Sequence, residues 1–236
     1  MKILLNYADG KFLQSQLLNS QSGLAAGFNV VYQMGRADID PPFYSEHKEI
    51  LDQKRGVGYW LWKAHFITRL LSGMGENDIL FYADSGSYFV RRMEPVFAAV
   101  AADPLGVVAF RLAGGHLEKA YTKRDLFLHM DMNEPQYRDT PQRMASFMCF
   151  RGTNAAREIA DEYLNLCCNP HLITDTPNAD GWVEDGFVDH RHDQSVWSLL
   201  TKRHDVVTLA DPTQWGVQHG ENTEEQQFVV HTRDPR

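Results

Sequence analysis

The run Ile79-Leu80-Phe81-Tyr82-Ala83 constrains this chain more than any other feature, because it places five consecutive apolar or aromatic residues between Asp78 and the turn-forming triplet Asp84-Ser85-Gly86. A strand with one face in water alternates polar and apolar residues, so an unbroken run fits a central strand covered on both faces. The flanking sequence is consistent with that. Ile3-Leu4-Leu5 reads as a short buried strand closed by Asn6, Asp9 and Gly10, residues 12–18 carry Leu13 and Leu17 at helical spacing, and residues 28–32 read as a second strand. Pro41-Pro42 then breaks the chain, residues 44–53 have a polar helical pattern, and Gly56-Val57-Gly58 makes a turn. Leu61, Phe66, Ile67, Leu70 and Leu71 recur near the helical period and predict a helix over 61–74. Further on, the pattern predicts helices over 94–102, 123–130, 154–168 and 193–202, and strands over 106–110, 145–150 and 206–209. Sheet and helix alternate throughout, which predicts a doubly wound α/β fold.

At 236 residues the chain suits one large domain, given about 150 residues per domain as a prior. We expect a single α/β domain over 1–216, with 217–236 as a polar C-terminal tail or covering segment. The 31 Asp and Glu outnumber the 23 Lys and Arg, a formal charge of -8. Nucleic acid and anionic lipid are therefore disfavoured as partners, since both are held through basic surface. Cys149, Cys167 and Cys168 form neither a CxxC pair nor a disulfide framework, as suits a reducing compartment. No run of about 18 apolar residues marks a transmembrane segment and the first residues lack a secretory pattern, so the expected location is cytoplasmic. The sequence leaves the oligomeric state open.

Three clusters could carry chemistry. In open α/β sheets ligands sit at the carboxyl ends of the strands, which points first to Asp84-Ser85-Gly86. A carboxylate there can hold a hard divalent ion or a sugar hydroxyl, and Gly86 admits a ligand close to the backbone; the bland alternative is a plain strand-ending turn. The second cluster, Asp189-His190-Arg191-His192-Asp193-Gln194-Ser195, precedes an amphipathic helix, with Glu184 and Asp185 just upstream. It offers a helix cap, an anion site through Arg191, or a catalytic carboxylate. The third runs from Lys54 to Lys63, where basic residues flank Gly56 and Gly58 and three large aromatics. Glycine-freed amides and Lys63 suit phosphate, although Trp60 and Trp62 also read as core aromatics and the dinucleotide fingerprint is incomplete. Lys123-Arg124-Asp125 is a lesser basic and acidic cluster that more often marks a solvated face.

Four segments in order, Gly-Val-Gly-Tyr-Trp-Leu-Trp-Lys at 56–63, Asp-Ile-Leu-Phe-Tyr-Ala-Asp-Ser-Gly at 78–86, Thr-Lys-Arg-Asp at 122–125 and His-Arg-His-Asp-Gln-Ser at 190–195, resemble a small GT-A-type glycosyltransferase-like family common among bacterial and viral surface-glycan genes. The resemblance implies a GT-A-like α/β fold with a mixed, mostly parallel sheet flanked by helices, a nucleotide-sugar donor and a glycan or related acceptor. It also implies a strand-ending Asp-x-Asp that contacts the donor ribose and a divalent ion, Mn²⁺ or Mg²⁺, on the diphosphate. Asp84 matches the first carboxylate and Gly86 replaces the second, so a metal would need His192, Asp193 or another residue to complete its ligands. Family members often carry Pro after the Trp-x-Trp-Lys segment; Ala64 here should let the helix run on. On this reading Gly58, Lys63, Asp84, Gly86, Lys123 and Arg191 face the donor. Asp193 takes the acceptor's proton, with Glu184 and Asp185 behind it. Two other readings stay open: a metal-dependent hydrolase on His190, His192 and Asp193, and a nucleotide-sugar-binding module that has lost the chemistry.

Overall fold

The computed structural model describes residues 1–232, so the last four residues of the segment 217–236 lie outside the described residues. The strands are β1 (Lys2–Tyr7), β2 (Val30–Met34), β3 (Ile79–Ala83), β4 (Ser87–Phe89), β5 (Val107–Arg111), β6 (Arg143–Arg151), β7 (Val207–Leu209) and β8 (Val229–His231). Among the described residues they form a six-stranded sheet in the order β2-β1-β3-β6-β5-β7 and a separate β4-β8 pair. β1 lies parallel to both β2 and β3, β5 lies parallel to β7, and β6 runs antiparallel to its neighbours β3 and β5. The sheet is thus mixed and mostly parallel. β3 is central, and all five of its residues are buried.

Side chains along β3 alternate between two cores, as the twofold period of a strand requires. Leu80 and Tyr82 enter one cluster and Ile79, Phe81 and Ala83 the other. The long helices are α1 (Leu13–Ala26), α2 (Leu61–Ser72), α3 (Glu94–Ala102), α4 (Asn154–Cys167) and α5 (Asp193–Arg203). Helices α2, α4 and α5 supply Phe66, Tyr163 and Trp197 to the first cluster, while α3 and the β4-β8 pair supply Phe97, Phe89 and Val229 to the second. Among the described residues no helix is long and apolar enough to cross a membrane.

Several elements differ from expectation for physical reasons. Helix α1 forms, but Leu13 and Leu17 are 57% and 45% exposed; the helix buries Gln16, Asn19, Ser20 and Gly23 instead. Its buried face is polar because it serves backbone and side-chain groups of the sheet. Asn19 Nδ2 donates to the Ser87 carbonyl at 3.0 Å, and Asn6 Nδ2 donates to Asn19 Oδ1 at 2.8 Å. The Pro41-Pro42 pair opens a short helix, Pro41–Glu46, rather than breaking the chain, since proline lacks only an amide that the first turn leaves unused. The expected helix over 44–53 is divided at His47 into Pro41–Glu46 and Lys48–Leu51. Helix α2 runs through Ala64 unbroken. Strands β4 and β8, three residues each, are too short to leave a periodic signal, and β8 lies within the segment after residue 216.

Candidate functional site

A cavity of about 530 Å³ opens where β1 and β3 end and the antiparallel β6 begins. Its wall joins Tyr7-Ala8-Asp9 after β1, Asp84-Ser85-Gly86 after β3, Ala145-Ser146 of β6 and residues 191–194 at the start of α5. Residues 55–57 and His231 of β8 close its sides.

The Asp84 turn is held from several directions. The Asp84 amide donates to the Ser146 carbonyl at 2.9 Å, Ser85 Oγ donates to the Tyr7 carbonyl, and Ser87 Oγ donates back to the Asp84 carbonyl at 2.6 Å. On its far side the Gly86 carbonyl accepts the Thr232 amide at 2.9 Å. Tyr82 hydroxyl, one step up β3 on the same face, donates to Asp84 Oδ1 at 2.6 Å.

Behind the turn lies a buried charged pair. Lys63, on the first turn of α2 and 2% exposed, donates from Nζ to Asp193 Oδ2 at 2.6 Å and to the Ala145 carbonyl at 3.0 Å. The same ammonium stands 3.8 Å from Asp84 Oδ1. Burial pulls the Lys63 ammonium down, but Asp193 and Asp84 more than offset this and hold it above its usual range. Burial pushes the Asp193 carboxyl up to about 6, with Lys63 opposing the rise. Tyr163 of α4 donates its hydroxyl to Asp193 at 3.3 Å.

The aromatic-rich segment has unusual backbone geometry. Gly56, Val57, Gly58, Tyr59 and Trp60 all have positive φ, between 51° and 99°, making one left-handed turn. For the three residues with side chains this costs about 1–2 kcal/mol each, and the surroundings hold it. Trp62 Nε1 donates to the Gly56 carbonyl at 3.0 Å, and Tyr59 hydroxyl donates to Asp175 at 3.1 Å. The result packs Trp62 flat on Tyr7, ring centroids 3.7 Å apart, at the cavity wall.

His192 is buried, and its partners define its tautomer. Nδ1 donates to the Ile173 carbonyl at 2.8 Å and Nε2 accepts from Arg55 Nε at 2.6 Å. Burial lowers its pKa, and it lowers that of His190 further; His190 lies against the Leu172 carbonyl at 2.8 Å and accepts the Lys123 amide at 3.3 Å. Both imidazoles are therefore neutral and committed.

Of the residues expected at the site, Lys63, Asp84, Gly86, Arg191, His192 and Asp193 line this one cavity. Gly58 does not: a Cβ there would lie 2.7 Å from Leu51 Cα, so the glycine permits close backbone packing instead. Lys123 turns its ammonium to the Thr176 carbonyl at 2.7 Å, Glu184 is ion-paired with Arg138, and Asp185 is exposed on the loop beyond; none of the three lines the cavity. Sequence reasoning missed Asp9, although the strand-end rule that flagged Asp84 applies equally after β1. It also missed Tyr163 and His231, whose local sequence carries no such signal.

A divalent ion on this set of side chains does not fit. Asp84 is the one carboxylate of the turn after β3, Gly86 brings none, Asp193 Oδ2 is held by Lys63, and both nitrogens of His192 are engaged. An ion at Asp84 would also meet the Lys63 ammonium, and like unit charges about 4 Å apart repel by about 4 kcal/mol at an effective dielectric of 20. Among the described residues no three His, Cys, Asp or Glu side chains converge on a common point. His190 and His192 instead direct their ring nitrogens to the Leu172 and Ile173 carbonyls, the Lys123 amide and Arg55.

The amino-acid sequence matches no protein-family model and no curated protein. Among solved structures the chain is similar to mouse xyloside xylosyltransferase 1 in its apo form, with a TM-score of 0.51 at 11% identity over 98% of this chain and 97% of that one. The architecture is the GT-A fold. A second likeness, with a TM-score of 0.49 at 12% identity over 100% of this chain and 96% of the other, is to a glycosyltransferase involved in the glycosylation of the major capsid of PBCV-1. At 11% identity the likeness to the xylosyltransferase is one of fold. In the GT-A fold seen here, the antiparallel β6 brings Ala145 and Ser146 beside the Asp84 turn.

Proposed function

We propose that the protein is a glycosyltransferase that moves a sugar from a nucleotide-sugar donor to a hydroxyl of a glycan or related acceptor. The observation that carries this reading is the meeting of complementary groups in one cavity at the carboxyl ends of β1 and β3. A strand-ending carboxylate, a buried ammonium, two guanidinium groups and a stacked aromatic pair all line it. Asp84 suits sugar or ribose hydroxyls as an acceptor, Lys63 and Arg191 suit phosphate oxygens, and the Tyr7-Trp62 stack offers an apolar wall for a planar base. The fold likeness supports the same reading, since mouse xyloside xylosyltransferase 1 is by name a sugar transferase.

In the reaction the bond between the anomeric carbon and the phosphate oxygen breaks, leaving its electron pair on that oxygen. The bond to the acceptor oxygen forms, and the acceptor's proton must be taken up. We assign that proton to Asp193, whose carboxyl is pushed up to about 6 and is therefore largely ionised at neutral pH. With Glu184 and Asp185 outside the cavity lining, no nearer rival in the 184–193 cluster competes for the role. Lys63 and Arg191 face the charge that develops on the leaving diphosphate. We keep a cytoplasmic location within the proposal, because Cys149, Cys167 and Cys168 are free thiols of the kind a reducing compartment preserves.

Thermal melts of the purified protein with a panel of nucleoside diphosphates and nucleotide sugars test the reading, because a bound ligand stabilises by mass action. One nucleotide should raise the midpoint, and Arg191→Ala should shrink the shift. The matching nucleotide sugar should then release its diphosphate when an acceptor is supplied. A panel without any shift would sink the proposal, and binding without turnover across a broad acceptor set would favour a binding module.

A further inference from the structure

Resting on the transferase reading, we propose that the Lys63 ammonium supplies the positive charge that a divalent ion would otherwise place against the leaving diphosphate, so that donor binding does not depend on metal. Lys63 Nζ sits close to two of the three carboxylates that line the cavity, 2.6 Å from Asp193 and 3.8 Å from Asp84, with Asp9 as the third. The departure of this chain from a two-carboxylate motif has the same sense: where Gly86 replaces an acidic residue the turn after β3 carries one carboxylate, Asp84, and the Lys63 ammonium faces it.

The hydrogen-bond inventory of the ammonium supports an active part. A lysine has three N–H donors. Asp193 Oδ2 and the Ala145 carbonyl take two of them at 2.6 and 3.0 Å. The contact to Asp84 Oδ1, at 3.8 Å, is an ion pair beyond hydrogen-bond length. Two acceptors leave one of the three donors for a further partner, and because Lys63 lines the cavity a phosphate oxygen bound there can complete its set.

Rigidity matters as much as charge. Lys63 is fixed on the first turn of α2, its ammonium 4.9 Å from the Tyr82 ring centroid and walled in by Asp193 and Ala145. A charge preorganised in a site with little water needs no reorganisation when the C–O bond breaks and the electron pair passes to the phosphate oxygen. Arg55 and Arg191 also line the cavity and add positive charge to it. An ion in the usual place would compete with this arrangement, because it would have to approach Asp84 against Lys63.

The test is calorimetric titration of the full chain with the nucleoside diphosphates, in EDTA and again with Mn²⁺ or Mg²⁺. The nucleotide that binds should do so with affinities agreeing within about twofold in the two conditions. Because Lys63→Met alone leaves Asp193 as a buried, unpaired charge, the informative variant is Lys63→Met/Asp193→Asn compared with Asp193→Asn. The double variant should bind about tenfold or more weakly in EDTA, the loss of one charge-assisted hydrogen bond. Binding that appears only with metal and is abolished by Asp84→Asn or His231→Ala would overturn the inference in favour of an ion held by those two residues. Metal-independent binding that the double variant retains in full would assign Lys63 a packing role only. Absence of binding in every condition would instead fell the transferase reading and this inference with it.

Discussion

A carboxylate buried beside an ammonium is pulled two ways, and at Asp193 the loss of water wins. The group is raised from its ordinary 3.8 to about 6 although Lys63 touches it at 2.6 Å. The sign decides the pH dependence. A base works in its ionised form, so a raised pKa means activity is lost as pH falls through about 6 and is flat above it. The pH profile of kcat/KM should show an acidic limb near that value, and Asp193→Asn should lower kcat by about 10²–10⁴ and remove the limb. Unaltered turnover in that variant would take the base role away from Asp193. Asp84, Arg191 and Asp193 were readable as candidates because ligands of open α/β sheets sit at strand ends and anions at helix starts. The roles of His190 and His192 were not readable. Their ring nitrogens are used by the Leu172 and Ile173 carbonyls, contacts 18 and 19 residues away along the chain that no spacing announces.

Among the elements, the left-handed turn from Gly56 to Trp60 is the least expected piece of backbone. Glycine at 56 and 58 signalled a turn, but the neighbours Val57, Tyr59 and Trp60 adopt the same handedness at a cost, which tertiary contacts must meet. Gly58 has φ near 99° and packs against Leu51, so Gly58→Ala combines a disfavoured conformation with a clash against backbone. We expect it to lower unfolding free energy by about 2–5 kcal/mol, measured by urea denaturation. Nucleotide affinity of the folded fraction should stay the same, since Gly58 does not line the cavity. A specific loss of affinity without loss of stability would return Gly58 to the binding surface. Helix α1 makes the opposite point about sequence: its helical period was legible, yet the side it buries was not. Leu13 and Leu17 face water while Asn19 is buried against Ser87, because the unpaired groups of β4 and its turn need donors more than the core needs two more leucines.

For the whole molecule, the late chain closes the site. Strand β8 pairs with β4, buries Val229 in the second core and brings His231 to the cavity wall. A chain ending at Gln226 should therefore lose at least about 2 kcal/mol of stability from the exposed apolar surface and should gain dye binding at the uncovered Phe89 and Phe147. Its stabilisation by nucleotide should fall as well; a truncated chain that keeps both would make the segment dispensable. Hydrophobic periodicity was enough to specify the longer strands and helices, the burial of β3 and the α/β class, because those properties depend on residues within a turn or a strand length of one another. The cavity depends on another kind of information. Lys63, Asp84, Asp193 and His231 meet only after β6 inserts antiparallel beside β3, α5 starts at its edge and β8 doubles back onto β4. Which groups become buried partners there, and hence which are charged, committed or open to a ligand, follows from packing between distant segments, and no local pattern encodes it.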